Sequence, residues 1–269
     1  MYTHHGRVRL YYELGGRSDG QPLLLLRGLT RTIRHWGRLL PELGTSFRTI
    51  AMDNRGAGHS DAPWRLYTTA AMADDAAAVL SAAGVDRAAV FGISLGGAIA
   101  QELALRHPQR VNQLVLGCTR ASGKEGERPD PAVVRALLSL LWLPEADALA
   151  RTTPLVVSAP YLAQHPELLA EWQALARNQP TRRRSLIAQL AAMLRHDTRA
   201  RLPTITAPTL VLSGDADRLI DVSCSHLLAR RIPGARLEIL PGAGHDLPAE
   251  RPAELAALLR DFCGPLTPR

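Results

Sequence analysis

Short, unbroken apolar runs recur along the chain and alternate with stretches of helical spacing, and this alternation restricts the fold more than any other feature. Residues 23–26, 49–52, 88–91, 114–116, 210–212 and 237–240 are such runs, and each ends in a polar or glycine-rich segment. A continuous apolar run suits a strand buried on both faces, while residues 8–13 alternate with period two as a half-covered strand does. Helical patterns fall at 69–83, 96–106, 222–232 and 252–262. Strands and helices in alternation predict an α/β fold, a mostly parallel twisted sheet flanked by helices on both faces. Ligands of such sheets bind beyond the carboxyl ends of the strands. The alternation stops between 119 and 207, where helical patterns at 133–143, 166–176 and 186–194 are punctuated by Pro154, Pro160, Pro166 and Pro180. The expected organisation is a core of 1–118 and 208–269 with a helical cap inserted at 119–207.

Composition removes several classes of function. The 269 residues carry a net charge of +7, and Lys124 is the sole lysine among 32 basic residues. The arginines are scattered apart from Arg182, Arg183 and Arg184, and aromatic residues make up only 4%, so the stacking face of a nucleic-acid binder is not expected. Three cysteines without CxxC spacing indicate neither a disulfide framework nor a zinc ribbon. No apolar stretch is long enough to span a bilayer, and the N-terminus lacks the pattern of a secretory signal. The expectation is a cytoplasmic protein with no membrane or nucleic-acid partner and no metal or cofactor.

The chemistry concentrates in residues 90–98, Val-Phe-Gly-Ile-Ser-Leu-Gly-Gly-Ala, a buried strand running into Gly-x-Ser-x-Gly and then a helix. A serine on so tight a strand-to-helix turn needs glycines on either side for the chain to pass while its hydroxyl projects. A free serine hydroxyl is a weak nucleophile, so an imidazole must take its proton and a carboxylate must orient that imidazole. Downstream, Asp215 and Asp217 follow one strand run, and His245 sits in a glycine-rich loop after the next. The order Ser, Asp, His would gather all three on one edge of a parallel sheet.

These residues resemble the α/β-hydrolase fold family over nearly the whole chain. The segment Asp53-Asn54-Arg55-Gly56-Ala57-Gly58-His59-Ser60 and the ending Gly244-His245 with Glu250-Arg251-Pro252 are similar to that family as well. The resemblance implies Ser94 as nucleophile, His245 as base and Asp217, three residues after Gly214, as acid, with Asp215 the rival. It also implies an oxyanion hole formed by the backbone N–H groups of Leu95 and Leu29. Where the family commonly has His-Gly, this chain reads Arg27-Gly28. Arg27 therefore either braces the loop through an acidic or carbonyl neighbour or binds a substrate carboxylate. Trp142 and Tyr161 are further candidates for substrate binding, beside Trp36 and Trp172. His59 reads as a loop-packing residue and Cys118 as a small buried hydrophobe.

Residues 195–197 and 202–212 are most similar to 3-oxoadipate enol-lactonases and related small esterases. The resemblance implies a serine hydrolase of carboxylic ester or lactone bonds acting on a small substrate, anionic if the cap arginines face it. The alternatives are a carbon–carbon bond hydrolase of ring-cleavage products and a non-catalytic ligand-binding member of the fold. Oligomeric state is not legible in the sequence.

Overall fold

The computed structural model describes residues 1–123 and 131–264. Parts of the expected cap (124–130, with Lys124) and of the closing core (265–269) therefore lie outside the described residues. Eight strands form one sheet: β1 (Tyr2–His5), β2 (Val8–Gly16), β3 (Gln21–Leu26), β4 (Phe47–Met52), β5 (Ala88–Ile93), β6 (Val111–Gly117), β7 (Thr209–Gly214) and β8 (Arg236–Leu240). Their order is β1-β2-β4-β3-β5-β6-β7-β8. The pairs from β4 to β8 are parallel, and β1 and β2 add antiparallel strands at one edge.

The helices are α1 (Leu39–Gly44), α2 (Thr69–Ala82), α3 (Leu95–Arg106), α4 (Pro131–Ser139), α5 (Glu145–Val156), α6 (Ala159–Gln164), α7 (Glu167–Asn178), α8 (Arg183–Arg195), α9 (Val222–Arg231), α10 (Leu247–Glu250) and α11 (Pro252–Cys263). The apolar run of β3 shows why the sheet is covered twice. Leu24 and Leu26 join the core beneath α2, α3 and α9, whereas Leu23 and Leu25 join the core beneath α1 and α11, and all four are fully buried. Alternate side chains of one strand thus hold both layers.

Helices α4 to α8 all lie between β6 and β7, where the strand alternation stops. They carry an apolar cluster of their own around Leu149, Leu168 and Trp172. Pro154 does not end a helix as its punctuation suggests, but sits in the last turn of α5. At that place a proline removes one backbone hydrogen bond near an end where the carbonyls are already short of partners. The hairpin strand β1 was not separately expected; Gly6, with φ 58°, makes the turn that pairs His5 with Val8. Among the described residues no helix is long and apolar enough to cross a membrane.

Candidate active site

Ser94 stands between β5 and α3 with φ 58° and ψ −122°, a conformation that L-residues rarely adopt. The surroundings hold it there. Its N–H donates to Gly117 O at 2.9 Å, and its carbonyl accepts from Gly97 N at 2.9 Å and the Thr119 hydroxyl at 2.8 Å. A methyl group on Gly92 would meet the Gly96 carbonyl, and one on Gly96 would meet that of Leu26, so both glycines of the motif are required by close backbone approach.

Asp217 and His245 come from the loops after β7 and β8. Asp217 Oδ1 accepts the N–H groups of Leu219 (2.8 Å) and Ile220 (3.0 Å), which turns Oδ2 toward His245 Nδ1 at 2.7 Å. Both side chains are buried. An ionised carboxylate only accepts, so Nδ1 carries the proton and Nε2 is left as the basic nitrogen. Asp215 does something else: its Oδ1 takes the Gly242 N–H at 2.6 Å and steadies the loop that leads to His245. Glu250 steadies the same loop from the other side, accepting from Gly244 N (2.9 Å), Ser158 N (3.1 Å) and the Ser158 hydroxyl (2.6 Å).

Ser94 and His245 line one cavity of about 170 Å³ together with Leu29 and Leu95. Its far wall comes from α4, α5 and α8 and the residues beside them, including Leu137, Leu149 and Met193. Gly28 abuts the serine, since a Cβ there would lie 3.1 Å from Ser94 Cβ. Among the described residues no acceptor takes the backbone N–H of Leu29 or Leu95. Leu29 follows Gly28 and Leu95 follows Ser94, and both residues line the serine's cavity.

Arg27 is fully buried, and its guanidinium grips Asp246 with Nη2 2.9 Å from Oδ2. Its carbon lies 4.9 Å from the centre of the Trp36 ring. Burial works against ionisation of Asp246, but the charges of Arg27 and Arg31 outweigh it and hold the carboxyl below its ordinary range. The motif 53–60 braces the same loop: Asn54 Nδ2 donates to Arg27 O at 2.9 Å, and Asp53 accepts Ile33 N at 2.8 Å and His59 N at 2.9 Å.

Trp142 and Tyr161 are not brought to the serine. Trp142 is 57% exposed and does not line the Ser94 cavity. Tyr161 lines a separate pocket with Trp36 and Trp172, and its hydroxyl donates to Ala249 O at 2.7 Å. The geometric reason is that α6 contributes no residue to the cavity wall, and that Leu140, not Trp142, lines it from the turn after α4. Sequence reasoning passed over Asp246, Arg31 and Gln189. Asp246 had a signal, because an arginine at the end of β3 needs a buried acid. Gln189 had none: from α8 it accepts Thr30 N at 2.8 Å and donates to Arg55 O at 2.9 Å, joining loops that only tertiary packing brings together.

Cys118, Asp217 and His245 offer ligand atoms within 4.8 Å of one another, the one such cluster among the described residues. Burial, reinforced by the Asp217 charge, pushes the Cys118 thiol well above its ordinary pKa.

Comparison with known proteins agrees with this architecture. The model of the alpha/beta hydrolase fold matches residues 21–252. A protein of Azorhizobium caulinodans named "Putative carbamate hydrolase RutD" is 33% identical over 98% of both chains. The enol-lactonase from Burkholderia xenovorans LB400 superposes with a TM-score of 0.87 at 25% identity, covering 97% of this chain and 99% of that one. Est816, described as an N-acyl homoserine lactone degrading enzyme, reaches 0.83 at 32% identity, covering 97% of this chain and 100% of its own. With its parallel sheet, its serine on a strained strand-to-helix turn and these relatives, the chain belongs to the α/β-hydrolase fold family.

Proposed function

We propose that the protein is a serine hydrolase that cleaves carboxylic ester or lactone bonds through an acyl-enzyme. Ser94 Oγ attacks the carbonyl carbon, and His245 Nε2 takes its proton while Asp217 holds the imidazole in the required tautomer and stabilises its charged form. The oxyanion is received by the N–H groups of Leu29 and Leu95. His245 returns the proton to the leaving oxygen, and water then releases the acyl group by the same steps in reverse. No metal or organic cofactor enters the reaction. Helices α4 to α8 serve as the cap, excluding water and setting the acyl group that fits. A cavity of about 170 Å³ suits a short acyl chain, since a cavity of roughly 150 Å³ holds a benzene ring.

The observation that carries this reading is the 2.7 Å pairing of His245 with Asp217 at a cavity shared with a strained Ser94. The names of the relatives support the bond class, since carbamates, lactones and esters all present a carbonyl with a heteroatom leaving group. The test is labelling with a fluorophosphonate together with a screen of p-nitrophenyl esters of graded chain length, simple lactones and a carbamate. Labelling and turnover that vanish in Ser94→Ala are expected. Turnover that survives in Ser94→Ala would overturn the reading.

A further inference from the structure

Two arginines approach the cavity from the loop after β3, and one buried carboxylate faces them. Arg27 takes that carboxylate, Asp246, through both of its terminal nitrogens. Arg31, which also lines the cavity, has no ion pair or side-chain hydrogen bond among the described residues. The nearby Glu145 carboxylate is engaged elsewhere, accepting the Thr181 N–H at 2.7 Å and its hydroxyl at 2.9 Å. The site thus holds a surplus of positive charge in surroundings that are otherwise largely leucine, isoleucine and valine.

Arg31 is held in a way that suits ligand binding. Its guanidinium carbon lies 4.0 Å from the centre of the Trp172 ring, so the indole supports the flat face of the group. Stacking uses the face and leaves the in-plane N–H donors open, the set that matches a carboxylate two at a time. Burial lowers the Arg31 pKa to about 10, with Asp246 opposing that shift, so the group remains charged at neutral pH.

We infer that Arg31 is a specificity-determining residue that binds a carboxylate on the substrate, so that the preferred substrates are short esters or lactones carrying a second, ionised carboxyl group. The scissile bond in this inference rests on the serine hydrolase reading, whereas the anion site itself does not. Arg27 is not given that role because Nη1 and Nη2 both pair with Asp246, while its Nε, unpartnered among the described residues, is buried away from the cavity's open space.

The test compares mono-p-nitrophenyl glutarate with p-nitrophenyl valerate, which matches it in length but lacks the charge, each corrected for the rate without enzyme. The native protein should favour the glutarate ester in kcat/KM by about 10- to 100-fold, mostly through KM. In Arg31→Gln the ratio of glutarate to valerate turnover should collapse toward one, and Arg31→Lys should restore part of it. Equal turnover of the two esters by the native protein, or parallel losses on both in Arg31→Gln, would overturn the inference. Calorimetry with glutarate on Ser94→Ala separates the two readings. Binding there that is lost on adding Arg31→Gln supports the anion site even if neither ester is hydrolysed, and its absence counts against the site even if both are.

Discussion

Arg27 and Asp246 close a two-pronged ion pair, Nη2 standing 2.9 Å from Oδ2 and 3.2 Å from Oδ1, across 219 residues of sequence. Their chain neighbours are Gly28, which abuts Ser94, and His245. The pair therefore ties the loop that carries Leu29 to the loop that carries His245. Removing one partner leaves a buried charge, which costs about 3–5 kcal/mol, whereas removing both costs far less. Arg27→Met is accordingly expected to lose about that much stability in urea titrations, and Arg27→Met combined with Asp246→Leu should recover most of it. Activity of the single variant should fall alike on neutral and anionic esters. A selective loss on anionic esters would move the substrate-binding role from Arg31 back to Arg27.

The two aspartates after β7 should separate cleanly. Asp217 faces the imidazole and Asp215 faces a backbone N–H. Asp217→Asn would present an amide to Nδ1 and favour the wrong tautomer, with an expected loss of about 10²–10⁴ in kcat. Asp215→Asn keeps an amide oxygen that can accept the Gly242 N–H and so only weakens a brace three residues from His245, and less than a tenfold loss is expected. Steady-state kinetics on one p-nitrophenyl ester decide the matter, and the opposite ranking would reassign the acid.

Gly28 offers a test of the donor loop that leaves the fold alone. A Cβ at this position would stand 3.1 Å from Ser94 Cβ and 3.5 Å from Oγ, tight enough to displace the hydroxyl by a few tenths of an ångström. Because catalysis needs near-attack geometry, small displacements there are felt strongly. Gly28→Ala should lower kcat by more than tenfold with a melting temperature within a few degrees of native. Unchanged kcat would show that the loop can move away from the serine without loss.

What could be read from the sequence was whatever depends on local pattern. The runs at 23–26 and 88–91 announce strands because both faces of each strand are covered, and Gly92 and Gly96 announce the turn because no side chain fits there. The order of Ser94, Asp217 and His245 along the chain was legible for the same reason, each following a strand of a parallel sheet. The Arg27–Asp246 pair, the stacking of Arg31 on Trp172 and the Gln189 bridge were not, because each joins segments far apart in sequence by side chains whose direction no periodicity encodes. Trp142 shows the converse: a large aromatic in an apolar stretch looks like a pocket wall, yet it falls in the turn after α4 and is exposed.

His196 gives the fold a specific sensitivity to acid. It follows α8 and is buried, with Nδ1 3.0 Å from the Thr69 hydroxyl and Nε2 3.4 Å from Gln101 Oε1, so it ties the end of α8 to α2 and to α3, the helix that begins after Ser94. Burial lowers its pKa to about 4, with Glu102 opposing and Arg201 reinforcing the shift. In the unfolded chain an ordinary histidine titrates near 6.5. Between those values the unfolded state binds the proton and the folded state does not, so stability declines as pH falls from about 6.5 to about 4 and this contribution levels off outside that window. The stability lost across the window is on the order of 3 kcal/mol. His196→Gln cannot titrate, so it should be less stable than native at pH 7.5 through its poorer hydrogen bonding, yet lose less on acidification. Urea titrations of the two proteins at pH 7.5, 6, 5 and 4 should show the gap between them shrinking by about that amount. Curves that stay parallel across the range would mean that the imidazole is already protonated in the fold, or that its loop opens to water before the ring takes up its charge.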